Sequence, residues 1–427
     1  MESLRSARES GRTVGGRRLR VLEVTESLGA GVLTVLLELC AGLDPAVFQV
    51  TLVYSSRPGA PSRHELARDF GPHVELVEIR GTRSIDPLRD LVTFARYVRL
   101  FRRVRPDVVH LHSSKAGFLG RIAARLAGIR NVFYSPQGLS FLRSDVSGMQ
   151  QAAYRRLERF AARWGGTVVS ASRSEAAALK GVVSEDRLVV VENGVDVGAL
   201  DRIVAGSGGT SKRSDVERHV GPRIVGTAGR MSWQKDPIGF LEVAHQLHEA
   251  YGETVEFLWI GDGEMREEVE ARSRSLGLDD VVRITGWLDR TSALRLLARD
   301  VDIYLQTSRW EGMPLVLIET MVLGKPIVAR DVVGSRDVVE NGTTGFLGEG
   351  TEELVERCGR LLDRLDLAER MGRAARARAE SRFSSRLLCE RTARLYREAV
   401  SGRGQPVGAD GREGRGAAGP RPLNGGT

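Results

Sequence analysis

The feature that most constrains this chain is a rhythm that runs twice. Short β-branched runs alternate with longer helical stretches: "LRVLEVT" (19–25), then "FQVTLVY", "HVELVEI", "DVVHLH", "RNVFYS", "GTVVSAS" and "RLVVVENG". Apolar runs of this length, separated by amphipathic segments, predict a parallel sheet wrapped by helices. Near residue 197 the rhythm stops at a polar, Gly/Ser-rich passage, "GALDRIVAGSGGTSKRSDVERHVGPR". It restarts with "RIVGTAGR", "VEFLWIGDG", "VVRITGW", "VDIYLQTS" and "PIVA". The expected fold class is α/β, with two Rossmann-like, doubly wound domains facing a cleft. The expected boundaries are a disordered tail over 1–18, a first domain over 19–196, a linker over 197–222, a second domain over 223–382, a helix over 383–400 and a disordered tail over 401–427. Any ligand should lie where the strand C-termini look into the cleft.

Composition narrows the functions such a chain can serve. At 427 residues and 41% hydrophobic it can bury two sizeable cores. Its net charge of +8 is mostly arginine, since only five of the 63 basic residues are lysine. No zinc-finger spacing, RNA-recognition signature or basic-aromatic interleaving accompanies it, so no nucleic-acid partner is expected. Cys40, Cys358 and Cys389 form no metal or redox motif and read as buried free thiols. No apolar run approaches the ~18 residues of a membrane span, and "MESLRSARESGRTVGGRRLR" lacks a signal-peptide core. A cytoplasmic location is the expectation.

One stretch, "SRWEGMPLVLIETMVLGKPIV", carries two glutamates in otherwise apolar or small surroundings. Glu311 falls in the loop after a predicted strand, Pro314 suits the first helical position, and Glu319 rides the helix that Gly324 ends. Buried carboxylates are costly unless something binds them. Ligand hydroxyls would serve, and so would an arginine or an exposed edge. The amides of Gly312, Met313, Pro314 and Leu315 are assigned to an anion at the helix N-terminus.

Three further clusters sit at predicted strand ends. In "GTAGRMSWQKDP", Arg230 and Lys235 could clamp a diphosphate or simply be surface charge. In "TESLGAGVLTVLLEL", Gly29 and Gly31 allow close approach of a ligand, or make a plain turn. In "HLHSSKAGF" and "YSPQGLSF", His112, Ser113, Ser114, Lys115 and Gln137 place polar groups at one edge of the first sheet, facing the second domain. No H-x-x-x-H or D-x-D set is found, so no metal and no other cofactor is expected.

Arg230 with Lys235, "GDGEMREEVE", "ITGW", the E-x7-E of Glu311 and Glu319, and "GFL" at 345–347 follow one another in an order that resembles glycosyltransferase family 4. "HSSKAGFLGRIAARLAG" and "SPQGLSF" are similar to motifs of its bacterial exopolysaccharide branch. The resemblance runs from about Arg18 to Val400. It implies the GT-B fold and retaining, metal-independent transfer from a nucleotide-sugar, here a UDP-sugar, to a saccharide, lipid-linked or secondary-metabolite acceptor.

By the same resemblance, Arg230 and Lys235 hold the donor diphosphate, Glu311 contacts the transferred sugar with the Gly312–Leu315 amides, and Glu319 accepts from the ribose. Gly261 to Gly263 and Gly286 border the base, uracil. Gly29 and Gly31 close over the phosphates, and the 383–400 helix crosses back to the first domain. Relatives carry histidine in "SPHG" where this chain has Gln137, which can hydrogen-bond but not carry a proton charge. That departure leaves open a non-catalytic nucleotide-sugar-binding partner, and the shared architecture leaves open a UDP-sugar 2-epimerase, against which the E-x7-E and the Arg230–Lys235 clamp weigh. The basic amphipathic segment 88–105 is expected either to touch an anionic inner-membrane surface or to be an ordinary helix covering the sheet.

Overall fold

The computed structural model describes residues 16–26, 28–55, 61–79, 86–206 and 221–402. Two all-parallel sheets form the chain's two halves. The first holds β1 (Leu19–Thr25), β2 (Phe48–Tyr54), β3 (Val74–Glu78), β4 (Val108–His112), β5 (Val132–Ser135), β6 (Thr167–Ser170) and β7 (Leu188–Val190), in the order β3-β2-β1-β4-β5-β6-β7. The second holds β8 (Arg223–Ala228), β9 (Val255–Ile260), β10 (Val282–Ile284), β11 (Ile303–Gln306), β12 (Ile327–Arg330) and β13 (Gly345–Gly348), in the order β10-β9-β8-β11-β12-β13. In each sheet the strand order reverses beside its first strand, between β1 and β4 and between β8 and β11. At such a point the helices leave to opposite faces and open a crevice at the strand C-termini. Both predicted doubly wound domains are present.

The strands obey their sequence pattern because both faces are covered. Val109 and Leu111 face the cluster of Tyr97 and Phe101, while the neighbouring His110 and His112 point to the other face, as the two-residue period of a strand requires.

The halves are joined at a double crossing. Val195 leaves the first domain beside Ser384, which returns to it, and the two crossings bond to each other: Val195 N donates to Phe383 O at 2.9 Å and Ser385 N to Val195 O at 2.9 Å. A Cβ on Gly194 would stand 2.4 Å from Ser384 O, so only glycine lets the two chains pass. The helix Ser385–Val400 then packs on Ala30–Gly42 of the first domain, with Leu388, Cys389 and Tyr396 in that core.

Two boundary expectations are corrected. The first nine residues of the 197–222 linker form the helix Val197–Ala205, capped by Asp196, whose carboxylate accepts from Ala199 N at 2.9 Å. Its Val197, Leu200 and Ile203 keep a helical spacing that the surrounding polar residues obscure, and they sit in the second domain's core. The rest of that segment, 207–220, lies outside the described residues, as do 1–15 and 403–427 of the two tails. At the inner end of the first tail, Arg17 grips Asp107 with two hydrogen bonds of 2.6 and 2.7 Å.

Candidate functional site

The second domain's rim is built at its switch point from the loops after β8 and β11. Each loop fastens the other. Thr307 Oγ1 donates to the carbonyls of Lys235 (3.1 Å) and Asp236 (2.9 Å), and Arg309 N donates to Gln234 O at 2.8 Å. Asp236 is the anchor, 4% exposed and in left-handed backbone (φ 51°). Its carboxylate accepts from Arg309 (2.7 Å), from Arg330 (2.9 Å) and from Gly239 N at the start of helix Pro237–Tyr251 (3.2 Å). A buried carboxylate held by two guanidinium groups and a backbone amide is fully satisfied. Sequence reasoning missed this role; "KDP" signals only the cap.

On that frame Lys235 Nζ donates to Glu311 Oε1 at 2.6 Å, and Glu311 is 6% exposed. The two clusters singled out separately are thus one ion pair. Arg230 stands apart with 43% of its side chain exposed and Glu264 at 3.8 Å. Glu319, on helix Leu315–Val322, meets Arg290 from helix Arg290–Asp300, whose Nε and Nη2 both reach Oε1, at 3.0 and 2.6 Å. The arginine partner left open from sequence therefore exists. Oε2 has no hydrogen bond among the described residues. Burial raises the Glu319 pKa, with Arg290 opposing.

The helix start differs from expectation in one respect. Pro314 is the cap, one residue before the helix, and having no N–H it cannot contribute an amide. The carbonyls of Gly312 and Met313 are taken by the first domain: Ser172 Oγ donates to the former at 3.1 Å and Asn193 Nδ2 to the latter at 3.2 Å. A Cβ on Gly312 would lie 2.8 Å from Gly138 N, so the loops bearing Glu311 and Gln137 touch backbone to backbone across the cleft.

The glycines expected beside the base serve the same kind of contact. Cβ atoms at Gly261 and Gly263 would fall 2.2 Å from Gly229 O and 2.3 Å from Met231 O, and Gly261 pairs with Gly286 in an isolated bridge. Their smallness is explained within the protein, by the close approach of the Arg230 loop. Gly29 caps helix Ala30–Gly42 in extended backbone (φ −70°), and a Cβ at Gly31 would meet nothing within 4 Å.

The first domain's rim is corrected most. His112 was expected at the cleft edge but is 1% exposed. Its place in the strand period turns it, with His110, towards helix Ser385–Val400. A closed chain of hydrogen bonds results: Ser135 Oγ to His110 Nε2 (2.9 Å), His110 Nδ1 to Tyr396 Oη (2.6 Å), Tyr396 Oη to Glu23 Oε1 (2.8 Å) and His112 Nε2 to Glu23 Oε2 (2.7 Å). Within this chain of bonds, His112 Nδ1 alone is buried without a partner among the described residues. Glu23, His110 and His112 have their ligand atoms within 4.8 Å of one another, but these mutual bonds explain the cluster without an ion. Burial drives the His110 pKa well below its usual value, so the ring stays neutral.

Ser113 Oγ bonds Glu26 at 2.5 Å, Ser114 bonds Ser140 at 2.9 Å and Lys115 pairs with Asp90, so these three face protein partners. Gln137 remains at the cleft in left-handed backbone (φ 57°). Its neighbour Gly138 donates its N–H at 3.1 Å to Glu175, a fully buried carboxylate that sequence reading also missed.

A crevice between two parallel sheets, with an ion pair at one switch point and Gln137 in left-handed backbone opposite, is the architecture of two facing Rossmann-like domains. Comparison with known proteins agrees. Residues 30–194 match the glycosyl transferase 4-like domain and residues 210–378 match glycosyl transferases group 1. The chain belongs to the family 4 type of GT-B glycosyltransferases.

Among relatives, the Escherichia coli UDP-Gal:alpha-D-GlcNAc-diphosphoundecaprenol alpha-1,3-galactosyltransferase is 29% identical over 272 residues, 62% of this chain and 68% of that protein. The alpha-D-kanosaminyltransferase of Streptomyces kanamyceticus is 31% identical over 177 residues, 41% of this chain and 45% of that one. Among solved structures, Anabaena HepE in complex with UDP and glucose superposes with a TM-score of 0.71 at 20% identity, covering 89% of this chain and 100% of its own.

Proposed function

We propose that this chain transfers a hexose, with retention and without a metal, from a UDP-sugar to a saccharide acceptor on the cytoplasmic side, where nucleotide-sugars are made. The observation that carries the reading is the Lys235–Glu311 pair at the second domain's switch point, 2.6 Å long and fastened by Thr307 and Asp236. Lys235 and the more exposed Arg230 receive the diphosphate, and Glu311 turns its carboxylate to the sugar. Glu319 offers Oε2 to the ribose while Arg290 keeps Oε1. Gly261 to Gly263 and Gly286 border the uracil.

As the anomeric C–O bond breaks, positive charge grows on the sugar and negative charge on the leaving diphosphate. Cations already held in place lower that barrier without reorganising. Acceptor attack on the face that the diphosphate leaves, with a phosphate oxygen taking the acceptor proton, gives retention and requires no protein base. Support for a UDP-sugar comes from the galactosyltransferase relative, which is named for UDP-Gal. Gln137 lies opposite and holds a sugar hydroxyl by hydrogen bonding.

The test is nucleotide release from a panel of NDP-sugars, with and without polyprenyl-diphosphate-linked and small-molecule acceptors. Acceptor-dependent UDP release that disappears in Glu311→Ala and Arg230→Ala supports the reading. A stereoisomer formed from the UDP-sugar alone would establish epimerisation. Nucleotide binding with no turnover on any acceptor, unchanged in Gln137→His, would establish a non-catalytic partner.

A further inference from the structure

The first sheet is covered by helices on both faces, and the two covers differ in kind. On one face, helices Ala30–Gly42, Arg63–Phe70 and Ser385–Val400 carry none of the twelve large apolar side chains that stand exposed among the described residues. On the other, helices Pro87–Val104, Ser114–Leu126 and Gly148–Ala162 pack side by side and carry seven of them. Leu88, Leu91 and Met149 are 79%, 64% and 82% exposed. A single exposed leucine is ordinary, whereas concentration on one face marks a contact surface.

Charge follows the same division. The three helices hold eleven Arg and Lys against two acidic residues, an excess of nine where the whole chain has +8. Both acids are already matched within the face, Asp90 by Lys115 and Glu158 by Arg121 at 2.7 Å.

The order along the helices matters too. Helix Pro87–Val104 buries Thr93, Tyr97 and Phe101 against the sheet, so the opposite side carries Leu88, Leu91 and Val92 in its first turns and Arg99, Arg102 and Arg103 in its last. In a parallel α/β sheet the helix N-termini stand at the strand C-terminal edge, the edge of the cleft. Leu88, Leu91 and Met149 therefore flank the cleft, with the arginines further from it. These three side chains are aliphatic: they enter hydrocarbon readily but offer nothing for a nucleic-acid base to stack on.

We propose that this face docks on an anionic lipid bilayer, the apolar side chains entering the interface and the arginines resting on lipid phosphates. The cleft then opens beside the membrane, and the acceptor is lipid-linked. The acceptor assignment rests on the transferase reading; the docking does not.

The test is co-sedimentation of the full chain with vesicles of phosphatidylcholine alone and of phosphatidylcholine with about one-third phosphatidylglycerol. Binding to the anionic vesicles only, weakened by salt, is expected. Leu88→Ser with Leu91→Ser and Met149→Ser, or separately Arg99→Glu with Arg103→Glu, should weaken it at least ~tenfold. Unchanged UDP binding and thermal unfolding would show that the variants fold. Equal binding to both vesicle types, or binding to neither at low salt, overturns the proposal. So does a dimer in solution that the leucine variant dissociates, which would give the face to a second copy. Vesicle binding with transfer to soluble acceptors alone retains the docking and overturns the lipid-linked acceptor. Vesicle binding without any transfer retains the docking and removes the transferase reading instead.

Discussion

The two rims of the cleft solve the burial of polar groups in opposite ways. The second domain keeps opposite charges in pairs: Lys235 with Glu311, Arg290 with Glu319, and Arg309 and Arg330 on Asp236. The first domain keeps a chain of hydrogen bonds that runs from Ser135 through His110, Tyr396 and Glu23 to His112. A pair at a cleft can trade a partner for an incoming diphosphate or hydroxyl. The buried chain already engages every polar atom but His112 Nδ1, and serves to hold helix Ser385–Val400 on the first sheet. The difference separates pairs that stand open to an incoming ligand, such as Lys235 with Glu311, from groups that hold the frame, among them Asp236 in the charged rim.

Breaking the charged rim should have the largest effect. Lys235→Ala removes the cation from Glu311, and acceptor-dependent turnover is expected to fall ~10²–10³-fold with thermal stability much less affected. Steady-state kinetics beside a melting curve would check it; equal loss of both would erase the contrast between the rims.

Tyr396→Phe should give the reverse pattern. It leaves Glu23 Oε1 and His110 Nδ1 buried without a partner, at a cost of about 2–3 kcal/mol in unfolding free energy, while kcat per folded molecule holds. Chemical denaturation and active-site titration would report the two halves of that statement.

A smaller effect attends Glu319→Gln. About a tenfold weaker binding of UDP, about 1.4 kcal/mol, is expected, with 2′-deoxy-UDP binding unchanged, because the ribose hydroxyl is what Oε2 would meet. Calorimetry with both nucleotides checks it.

The smallest effect is a slope. Burial depresses the His110 pKa from 6.5, so below that value the unfolded chain binds a proton that the folded chain does not. Stability should then drop with falling pH, by up to about 1.4 kcal/mol per pH unit between 6.5 and the depressed folded value. Comparing denaturant midpoints at several pH values for the native chain and His110→Gln isolates the term, since the substitution flattens only that part of the curve.

Much of this was legible in advance. Both sheets, their parallel pairing and the helix that carries Glu319 follow from local apolar runs and their spacing. Arg230, Lys235 and Glu311 were singled out because charged residues at predicted strand ends are conspicuous. Asp236, Glu175 and Glu23 were not, because a carboxylate that caps, pins or bridges looks in sequence like any other. The helix Val197–Ala205 was hidden by the glycines and serines that follow it, and His112 was misplaced because strand ends were read as edges and not by the two-residue period.

The sequence by itself determined what depends on neighbours along the chain: two runs of strand and helix, the break between them, and which residue types stand at the strand ends. Only the tertiary structure decided what depends on approach between distant segments. Lys235 meets Glu311, Arg290 meets Glu319 and Tyr396 meets Glu23 across separations of 76, 29 and 373 residues. Local propensity is blind to such pairs, because a carboxylate's partner is chosen by the packing of whole elements.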